Sequence, residues 1–345
     1  MKRFKRGLIC GKFMPLHRGH MHLIDTAASQ CDHLTIMVGT LSTEPIDGHI
    51  RYEWVKYTYP QHKVIHSVED ALPDWHIENY WSAWASLFYL DLIPEEEWVD
   101  AVFTSEEYGD ELAHSITHEV HYIQAYTEGD RKEVVHVQVN KERDIVPISA
   151  TKIRNNPMEY WDYLAPIARG YFAKRILLIG GESCGKSTMA EYLAKHYNTV
   201  WVEEFARPYM RLYGNDFYEK IADDIILGQM KTEEAKVLEA NKILFCDTDN
   251  LVTREYTEEY GFLPPEYMKV LANRKRYDLY LFLDDDLPWE NDGMRNRPKR
   301  RGEVKELFIK ALTSRRIPFT LIRGVGQERF DNAVKVVDDY LKGVS

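Results

Sequence analysis

The chain has 345 residues, of which 44% are apolar, 12% aromatic and 29% charged, and its net charge is −11. This composition is typical of a globular protein, and the length predicts two domains at roughly 100 to 200 residues each. The acidic balance argues against a general nucleic-acid-binding protein, because such proteins present a basic surface to phosphates.

The remaining bulk features concern cellular location. The four cysteines form no CxxC pair and have no metal-ligand spacing, so we expect free thiols and no zinc site. The apolar run near the start is too short for a signal peptide or a membrane span. We therefore expect a cytoplasmic protein that does not bind membranes.

Short β-branched apolar segments alternate with helical patterns along the whole chain, as in mostly parallel α/β sheets. The pattern starts afresh after residue 170, so we predict two α/β domains, residues 1–169 and 170–345. We predict strands over residues 7–10, 34–38, 99–104, 134–139, 175–179, 199–202, 243–247, 279–283 and 319–322.

Residues 11–20 (GKFMPLHRGH) follow the first predicted strand. A strand, a tight loop and a helix start direct backbone N–H groups towards an anion. His17 and His20 are three residues apart, so they share one face of the first helical turn, where imidazoles can stabilise charge on the α- and β-phosphates of ATP. We predict both as catalytic in nucleotidyl transfer. The predicted ATP contacts in this loop are Gly11, Lys12, Phe13 and Gly19.

Residues 147–154 (PISATKIR) place hydroxyl groups at a second helix start. Ser149 or Thr151 is expected to cap this helix, and Lys152 and Arg154 to hold triphosphate oxygens, with Arg154 catalytic. The two segments together resemble the HxGH and ISxTxxR pair of the nucleotidyltransferase superfamily. The alternative is a pair of surface histidines and an ordinary helix cap.

Trp81 and Trp84 lie in a helix-like stretch and are candidates for substrate binding. An indole face can stack on a cationic ring such as a pyridinium. Their spacing with Phe88 is helical, which favours packing in the core for any one of them. Arg51 is a further candidate for a substrate contact.

Residues 180–188 (GGESCGKST) match GxxxxGK[ST], with a predicted strand before and a helical pattern after. In such a P-loop the backbone cradles the β-phosphate, Lys186 reaches the β- and γ-phosphates, and Ser187 ligates Mg²⁺. The N–H groups of the loop and Lys186 would favour a thiolate at Cys184, but we favour the alternative that this residue only fills a small space. The predicted ATP contacts here are Gly180, Gly181, Glu182, Ser183, Cys184, Gly185, Ser187 and Thr188.

Two later strands end in acidic residues. Asp247 follows an apolar strand in the Walker B manner and is the expected Mg²⁺ ligand, and Asp249 is expected to bind the acceptor. After the strand over 199–202, Glu204 is our first choice as the base for the acceptor hydroxyl, with Arg207 holding neighbouring oxygens. Glu203 is the second choice, and one of the two adjacent carboxylates should face solvent because strand side chains alternate.

Residues 288–301 are rich in cations and follow the strand over 279–283. This composition predicts a mobile lid that brings arginine to the γ-phosphate, and Arg295 and Arg297 are assigned to ATP binding. The alternatives are a solvated basic loop or a nucleic-acid patch.

These motifs occur in an order that resembles the NadR-type bifunctional nicotinamide-nucleotide adenylyltransferase fused to a ribosylnicotinamide kinase. The resemblance implies a Rossmann-like HxGH nucleotidyltransferase fold, then a P-loop kinase fold with a parallel sheet. It implies that the C-terminal domain makes nicotinamide mononucleotide (NMN) from nicotinamide riboside and ATP with Mg²⁺. The N-terminal domain then makes NAD and pyrophosphate from NMN and a second ATP.

The resemblance also bears on partners. Longer relatives carry a helix-turn-helix module ahead of the first domain, whereas here the first strand begins a few residues after Met1, so DNA is not an expected partner. The expected partners are the small molecules ATP, nicotinamide riboside, NMN and NAD, and a homo-oligomer is left open. Two alternatives also stay open: a different phosphorylated acceptor such as phosphopantetheine, and a regulator that binds ATP or NAD without turnover.

Overall fold

The computed structural model describes residues 2–72, 80–94, 97–124, 133–142, 144–214, 219–273, 277–289 and 301–343. The chain divides into two compact units, residues 1–168 and 169–345. Each unit is built on a five-stranded sheet in which every pairing is parallel. Two parallel α/β sheets are the architecture that the alternating pattern predicts.

The first unit has the strand order β3-β2-β1-β4-β5. Its strands are β1 Phe4–Gly11, β2 Cys31–Thr40, β3 Lys63–Val68, β4 Ala101–Thr104 and β5 Val135–Gln138. Its helices are α1 Arg18–Gln30, α2 Gly48–Thr58, α3 Tyr80–Trp84, α4 Leu90–Leu92, α5 Gly109–Gln124 and α6 Ala150–Asn155, with a π-helical turn at Ala85–Tyr89 and a 3₁₀ turn at Trp161–Tyr163. The strand order reverses at β1, and such switch points bind ligands at the carboxyl ends of the strands.

The second unit has the strand order β10-β9-β6-β8-β7. Its strands are β6 Lys174–Ile179, β7 Val200–Val202, β8 Ile243–Asp247, β9 Leu279–Leu283 and β10 Thr320–Ile322. Helix α7 Pro166–Phe172 contains the boundary between the units, and α8 Lys186–His196, α9 Ala206–Tyr213, α10 Glu219–Lys236, α11 Asn250–Glu259, α12 Glu266–Asn273, α13 Arg301–Ser314 and α14 Gly326–Lys342 follow. The central strand β6 pairs with both β8 and β9.

The strands read as apolar runs because helices cover both faces of a parallel sheet. Every residue of β4 and of β8 is buried. Each of the nine predicted strands coincides with an observed one, and β3 is an additional strand. β3 pairs only with β2 at the sheet edge, and its sequence KVIHSV is mostly half-buried and partly polar, which explains the weak signal.

Among the helices that the structure describes, none is both long enough and apolar enough to cross a membrane.

Candidate active sites

The loop between β1 and α1 holds two histidines in a fixed arrangement. His17 is the N-cap of α1, and its Nδ1 accepts a hydrogen bond from the Gly19 backbone N–H at 3.0 Å. A methyl group on Gly19 would lie 2.8 Å from Cε1 of His17, so glycine lets the ring lie against the helix start. The rings of His17 and His20 are stacked, with centroids 3.9 Å apart. The two imidazoles thus lie together, as their spacing predicts.

Phe13 supports this loop from inside. It has a positive φ of 47°, and its ring contacts His20 edge-on at 5.0 Å between centroids. A methyl group on Gly11 would lie 3.3 Å from the same ring. Phe13 is only 1% exposed, so in this structure it shapes the loop, which differs from the ATP contact expected of it.

Arg154 joins the two halves of the first site. Its guanidinium donates hydrogen bonds to the Met14 carbonyl and to Oγ1 of Thr151, the latter at 3.1 Å. Ser149 is the N-cap of α6, and its Oγ accepts a hydrogen bond from the Lys152 N–H at 3.3 Å. Thr151 and Lys152 are exposed. The fold therefore places the segment around Ser149 beside the loop that precedes His17.

Both segments line one cleft of about 510 Å³. His17, Gly19 and His20 form one wall, and Ser149 belongs to the other. The remaining lining residues are His22, Leu23, Ser105, Glu106, Val139, Asn140, Val146, Ile148 and Ala150.

Arg51 is placed differently from its predicted role. Its guanidinium is fully buried and donates to the carbonyls of Ile46 and Lys12 at 3.0 and 2.8 Å. It also pairs with Glu44, which forms a 2.7 Å ion pair with Lys12. Burial raises the pKa of Glu44, but hydrogen bonds from Lys12 and the Leu41 N–H, with the charges of Arg51 and Lys12, lower it overall. Arg51 therefore fixes the β1–α1 loop from behind and does not face open space.

The two tryptophans also separate. Trp84 is 1% exposed within the hydrophobic core and donates from Nε1 to Oε1 of Glu69 at 3.0 Å. Trp84 is thus a core residue in this structure, as its helical spacing favours, and not a substrate contact. Trp81 is half-buried and stacks on Tyr108, with ring centroids 4.7 Å apart, so a role for Trp81 in substrate binding stays a prediction.

The second loop, between β6 and α8, is shaped by glycines. Gly180 has φ of 156°, and a methyl group there would lie 2.7 Å from the Leu283 carbonyl. Gly185 has φ of 80°, a left-handed conformation that glycine adopts without strain. Nζ of Lys186 donates to the carbonyls of Gly180 and Gly181 at 3.1 and 2.9 Å. The lysine is thus held over the loop that carries it.

Ser187 and Asp247 meet at the carboxyl ends of neighbouring strands. Oγ of Ser187 donates to Oδ2 of Asp247 at 2.5 Å, and the Thr248 hydroxyl donates to Oδ1 at 3.1 Å. Asp247 is fully buried, and this burial raises the pKa of its carboxyl to about 6 although the charge of Lys186 opposes the shift. Burial likewise disfavours charge on Lys186, but the neighbouring Cys184, Asp247 and Glu204 raise its pKa overall.

The acidic pair after β7 alternates as strand geometry requires. Glu203 is exposed, whereas Glu204 lines a pocket of about 980 Å³ and forms a 3.4 Å ion pair with Arg207. Asp249 caps α11 by accepting from the Val252 N–H at 3.2 Å, and it lines the same pocket. The pocket is also lined by Lys186, Gly180, Glu182 and Ser183 of the loop after β6, whereas Thr188 is exposed on α8.

Cys184 does not behave as the loop motif predicts. Its thiol is 1% exposed and donates to the Gly181 carbonyl at 3.0 Å. Burial raises the pKa of this thiol despite the opposing charge of Lys186. The structure therefore agrees with the favoured interpretation, in which Cys184 fills a small space beneath the loop, and not with the thiolate.

Several residues of the second site were not predicted from the sequence. Arg329 is 3% exposed and donates to the carbonyls of Cys184 and Asp284 at 3.0 and 2.7 Å, which ties α14 to the phosphate loop. It belongs to the buried stripe Arg329, Ala333 and Val337 of α14, and an arginine on an apolar stripe is the signal that could have identified it. Gln229 and Tyr256 line the pocket without any motif of their own.

The predicted lid falls mostly on residues that the structure does not describe. Arg295 and Arg297 lie outside the described residues. Arg301, where α13 begins, donates to the Leu287 carbonyl at 2.8 Å and to the Ser183 carbonyl at 3.5 Å. The end of the basic segment therefore reaches the phosphate loop.

Comparisons with known proteins cover the chain at two scales. A family model described as an AAA domain matches residues 175–329. The trifunctional NAD biosynthesis/regulator protein NadR of Salmonella typhimurium is 28% identical over 358 residues, covering 97% of this chain and 83% of that protein. A nicotinamide-nucleotide adenylyltransferase of Thermococcus onnurineus is 27% identical over 184 residues, covering 50% of this chain and 83% of that protein.

Two solved structures share the fold over almost the whole chain. A NadR protein in complex with NR has a TM-score of 0.78 at 23% identity, covering 98% of this chain and 96% of that one. A NadR protein in complex with NAD and AMP-PNP has a TM-score of 0.74 at 24% identity, covering 99% of this chain and 97% of that one. At these identities the likeness concerns the fold.

Proposed function

We propose, because this chain resembles the NadR-type proteins along nearly its whole length, that it is a bifunctional NAD salvage enzyme. The second unit phosphorylates nicotinamide riboside with ATP to give NMN, and the first unit adenylylates NMN with ATP to give NAD and pyrophosphate. The predicted domains follow from this proposal: residues 1–169 form a Rossmann-like HxGH nucleotidyltransferase domain and residues 170–345 a P-loop kinase domain. None of the four cysteines of the chain, all of them described, forms a disulfide bond, which suits a cytoplasmic enzyme.

One observation carries the proposal. Each sheet has its own phosphate-binding loop after its central strand, and the groups around the two loops differ. Stacked histidines and Arg154 surround the first, and a lysine, a serine–aspartate pair and a glutamate surround the second. The first set suits charge on an α-phosphate, and the second suits transfer of a γ-phosphoryl group to a hydroxyl.

In the kinase step, the 5′-hydroxyl oxygen of the riboside bonds to the γ-phosphorus, and Glu204 accepts the proton of this hydroxyl. The bond from this phosphorus to the β–γ bridging oxygen breaks, and its electron pair leaves with ADP. Lys186 stabilises the charge that develops on the transferring group. Arg207, 3.4 Å from Glu204, holds that carboxylate towards the pocket.

The residues present fit a magnesium ion. Ser187 and Asp247 supply adjacent hydroxyl and carboxylate oxygens 2.5 Å apart, which are the ligand types that Mg²⁺ prefers. When bound, Mg²⁺ neutralises charge on the β- and γ-phosphates. It would also offset the burial that raises the pKa of Asp247, because a cation favours the carboxylate.

In the adenylylation step, the phosphate of NMN is already ionised near neutral pH and needs no protein base. Its oxygen bonds to the α-phosphorus of ATP, the bond to the α–β bridging oxygen breaks, and pyrophosphate leaves with the electron pair. Because Nδ1 of His17 accepts from Gly19, the neutral ring carries its proton on Nε2, which can donate to a phosphate oxygen. Arg154 and His20 add further positive or donor groups around the same phosphates.

The test is a single incubation of the whole chain with nicotinamide riboside, ATP and Mg²⁺, in which NMN, NAD, ADP and pyrophosphate are followed. We expect NMN and ADP first and then NAD with equimolar pyrophosphate. Parallel incubations replace the riboside with NMN or with phosphopantetheine. Turnover of phosphopantetheine alone would favour a different acceptor, and nucleotide binding without any product would identify a regulator.

A further inference from the structure

Gln229 is a buried amide in the lining of the kinase pocket that no motif explains. It lies on α10, is 3% exposed and lines the pocket beside Glu204 and Thr248. Its Oε1 accepts from the Phe205 N–H at 2.9 Å, and its Nε2 donates to the Thr248 carbonyl at 3.4 Å. Both ends of the amide are thus engaged by backbone groups of this chain.

The two backbone groups belong to the two acidic loops of the pocket. Phe205 directly follows Glu204, the proposed base, and Thr248 directly follows Asp247, the proposed magnesium ligand. Thr248 has a positive φ of 71°, and its hydroxyl donates to Asp247. One side chain therefore connects the loop after β7 to the loop after β8.

The preceding residue fixes the same loop by shape. A methyl group on Gly228 would lie 2.1 to 2.4 Å from three ring carbons of Phe205. Glycine is less favourable than alanine inside a helix, and here its absent side chain leaves the space that the ring occupies. Tyr209 adds a 2.5 Å hydrogen bond from α9 to Asp224 of α10.

We propose that Gln229, with the Gly228–Phe205 contact, is a positioning residue that sets the place of Glu204 relative to Asp247 in the kinase reaction. The inference rests on the proposed kinase function and adds a residue to it. Because both ends of its amide bond to backbone groups of the two loops, Gln229 acts on the reaction through the positions of these loops. Displacement of a catalytic group by about 1 Å can lower a rate about 100-fold.

The first test replaces the amide by an apolar side chain of similar length, Gln229→Met. We expect the kcat of riboside phosphorylation to fall roughly 10- to 100-fold, while the KM for ATP changes by less than about twofold because the phosphate loop is intact. Adenylylation of supplied NMN by the same preparation should be unchanged. Gln327→Met, at an exposed glutamine of α14, is the matched control and should keep both activities.

The second test uses the shape of the loop. Gly228→Ala should lower kcat by pushing Phe205 away. Adding Phe205→Leu should restore most of the kcat, because leucine lacks Cε1 and Cζ, the two nearest of the three ring carbons that the methyl group meets. Gly302→Ala is the control, since a methyl group there meets nothing within 4 Å. This pair decides the question if Gln229→Met does not fold.

Three outcomes overturn the inference: an unchanged kcat in Gln229→Met, a rise in the KM for ATP that accounts for the whole loss, or a Gly228→Ala defect that Phe205→Leu does not relieve. Failure of the proposed function looks different. In that case the unsubstituted chain forms no NMN from the riboside, whatever the variants do.

Discussion

The two phosphate-binding loops follow the central strands of two parallel sheets, yet the groups around them are assembled differently. Around the second loop, Lys186 contacts its own loop and Ser187 contacts Asp247 on the adjacent strand. Around the first, Arg154 reaches a carbonyl 140 residues away in sequence. The loop of the kinase site thus carries its own cation, Lys186, whereas the loop of the adenylyltransferase site receives Arg154 from a distant helix.

The loop after the central strand of a parallel sheet can thus support reaction at two different phosphorus atoms of ATP, the α- and the γ-phosphorus. What distinguishes them is the set of side chains that the surrounding loops supply, since fold alone does not determine chemistry. If each site works with its own set, single substitutions should remove one activity and spare the other.

The largest effect is expected from Lys186→Ala. Removing this cation takes away charge stabilisation at the β- and γ-phosphates, so NMN formation should fall at least about 1,000-fold. NAD formation from supplied NMN should stay at the level of the unsubstituted chain, as measured by pyrophosphate release. Loss of both activities would contradict this prediction, because it would mean that the two sites are not independent.

His20→Ala should give the converse result. The lost donor sits in the histidine stack of the first loop, so NAD formation from NMN should fall roughly 100- to 1,000-fold while riboside phosphorylation continues. The variant should therefore accumulate NMN. His114→Ala, at an exposed histidine of α5 in the same unit, is the matched control, and an equal loss in this control would sink the assignment of His20.

Arg154→Lys tests the cation that the distant helix α6 supplies to the first loop. A lysine keeps the charge but cannot donate from a planar fork to both the Met14 carbonyl and Oγ1 of Thr151. We expect kcat/KM for NMN to fall roughly 10- to 100-fold. Lys152→Arg, on the exposed side of the same helix, is the control for exchanging one cation for the other. Equal activity of Arg154→Lys and the unsubstituted chain would show that a positive charge near α6 is sufficient for adenylylation.

The difference between the sites also explains what could be predicted from sequence. Residues 180–188 carry their whole motif in one segment, so the glycines, Lys186 and the pairing with Asp247 follow from local pattern and strand order. The surroundings of Arg51 and Trp84 depend on tertiary packing. The sequence pattern of an arginine or tryptophan at helical spacing is the same whether its side chain faces a ligand or the core. Gln229 was missed because its partners are backbone groups, which leave no mark on residue type. Arg329 was missed although an arginine on the apolar stripe of α14 is a signal in the sequence.

The smallest effect concerns the stability of the kinase unit. Burial raises the pKa of Asp247 from its ordinary value of 3.8 to about 6, so the folded state binds this proton more tightly than the unfolded state. The resulting stabilisation is fully present below about pH 4 and is lost as the pH rises through about 6. Between pH 5 and pH 7 the free energy of unfolding should therefore fall by roughly 1 kcal/mol because of this group.

Asp247→Asn should abolish this pH-dependent part together with the kinase activity. The measurement is denaturant unfolding of both proteins at pH 5 and pH 7, without nucleotide and with chelator, because bound Mg²⁺ would favour the ionised carboxylate. Asp331→Asn, at an exposed carboxylate of α14, controls for the loss of one acidic group. The same pH dependence in Asp247→Asn as in the unsubstituted chain would mean that the serine hydroxyl and Lys186 hold Asp247 ionised throughout, and that the kinase site is formed before any metal binds.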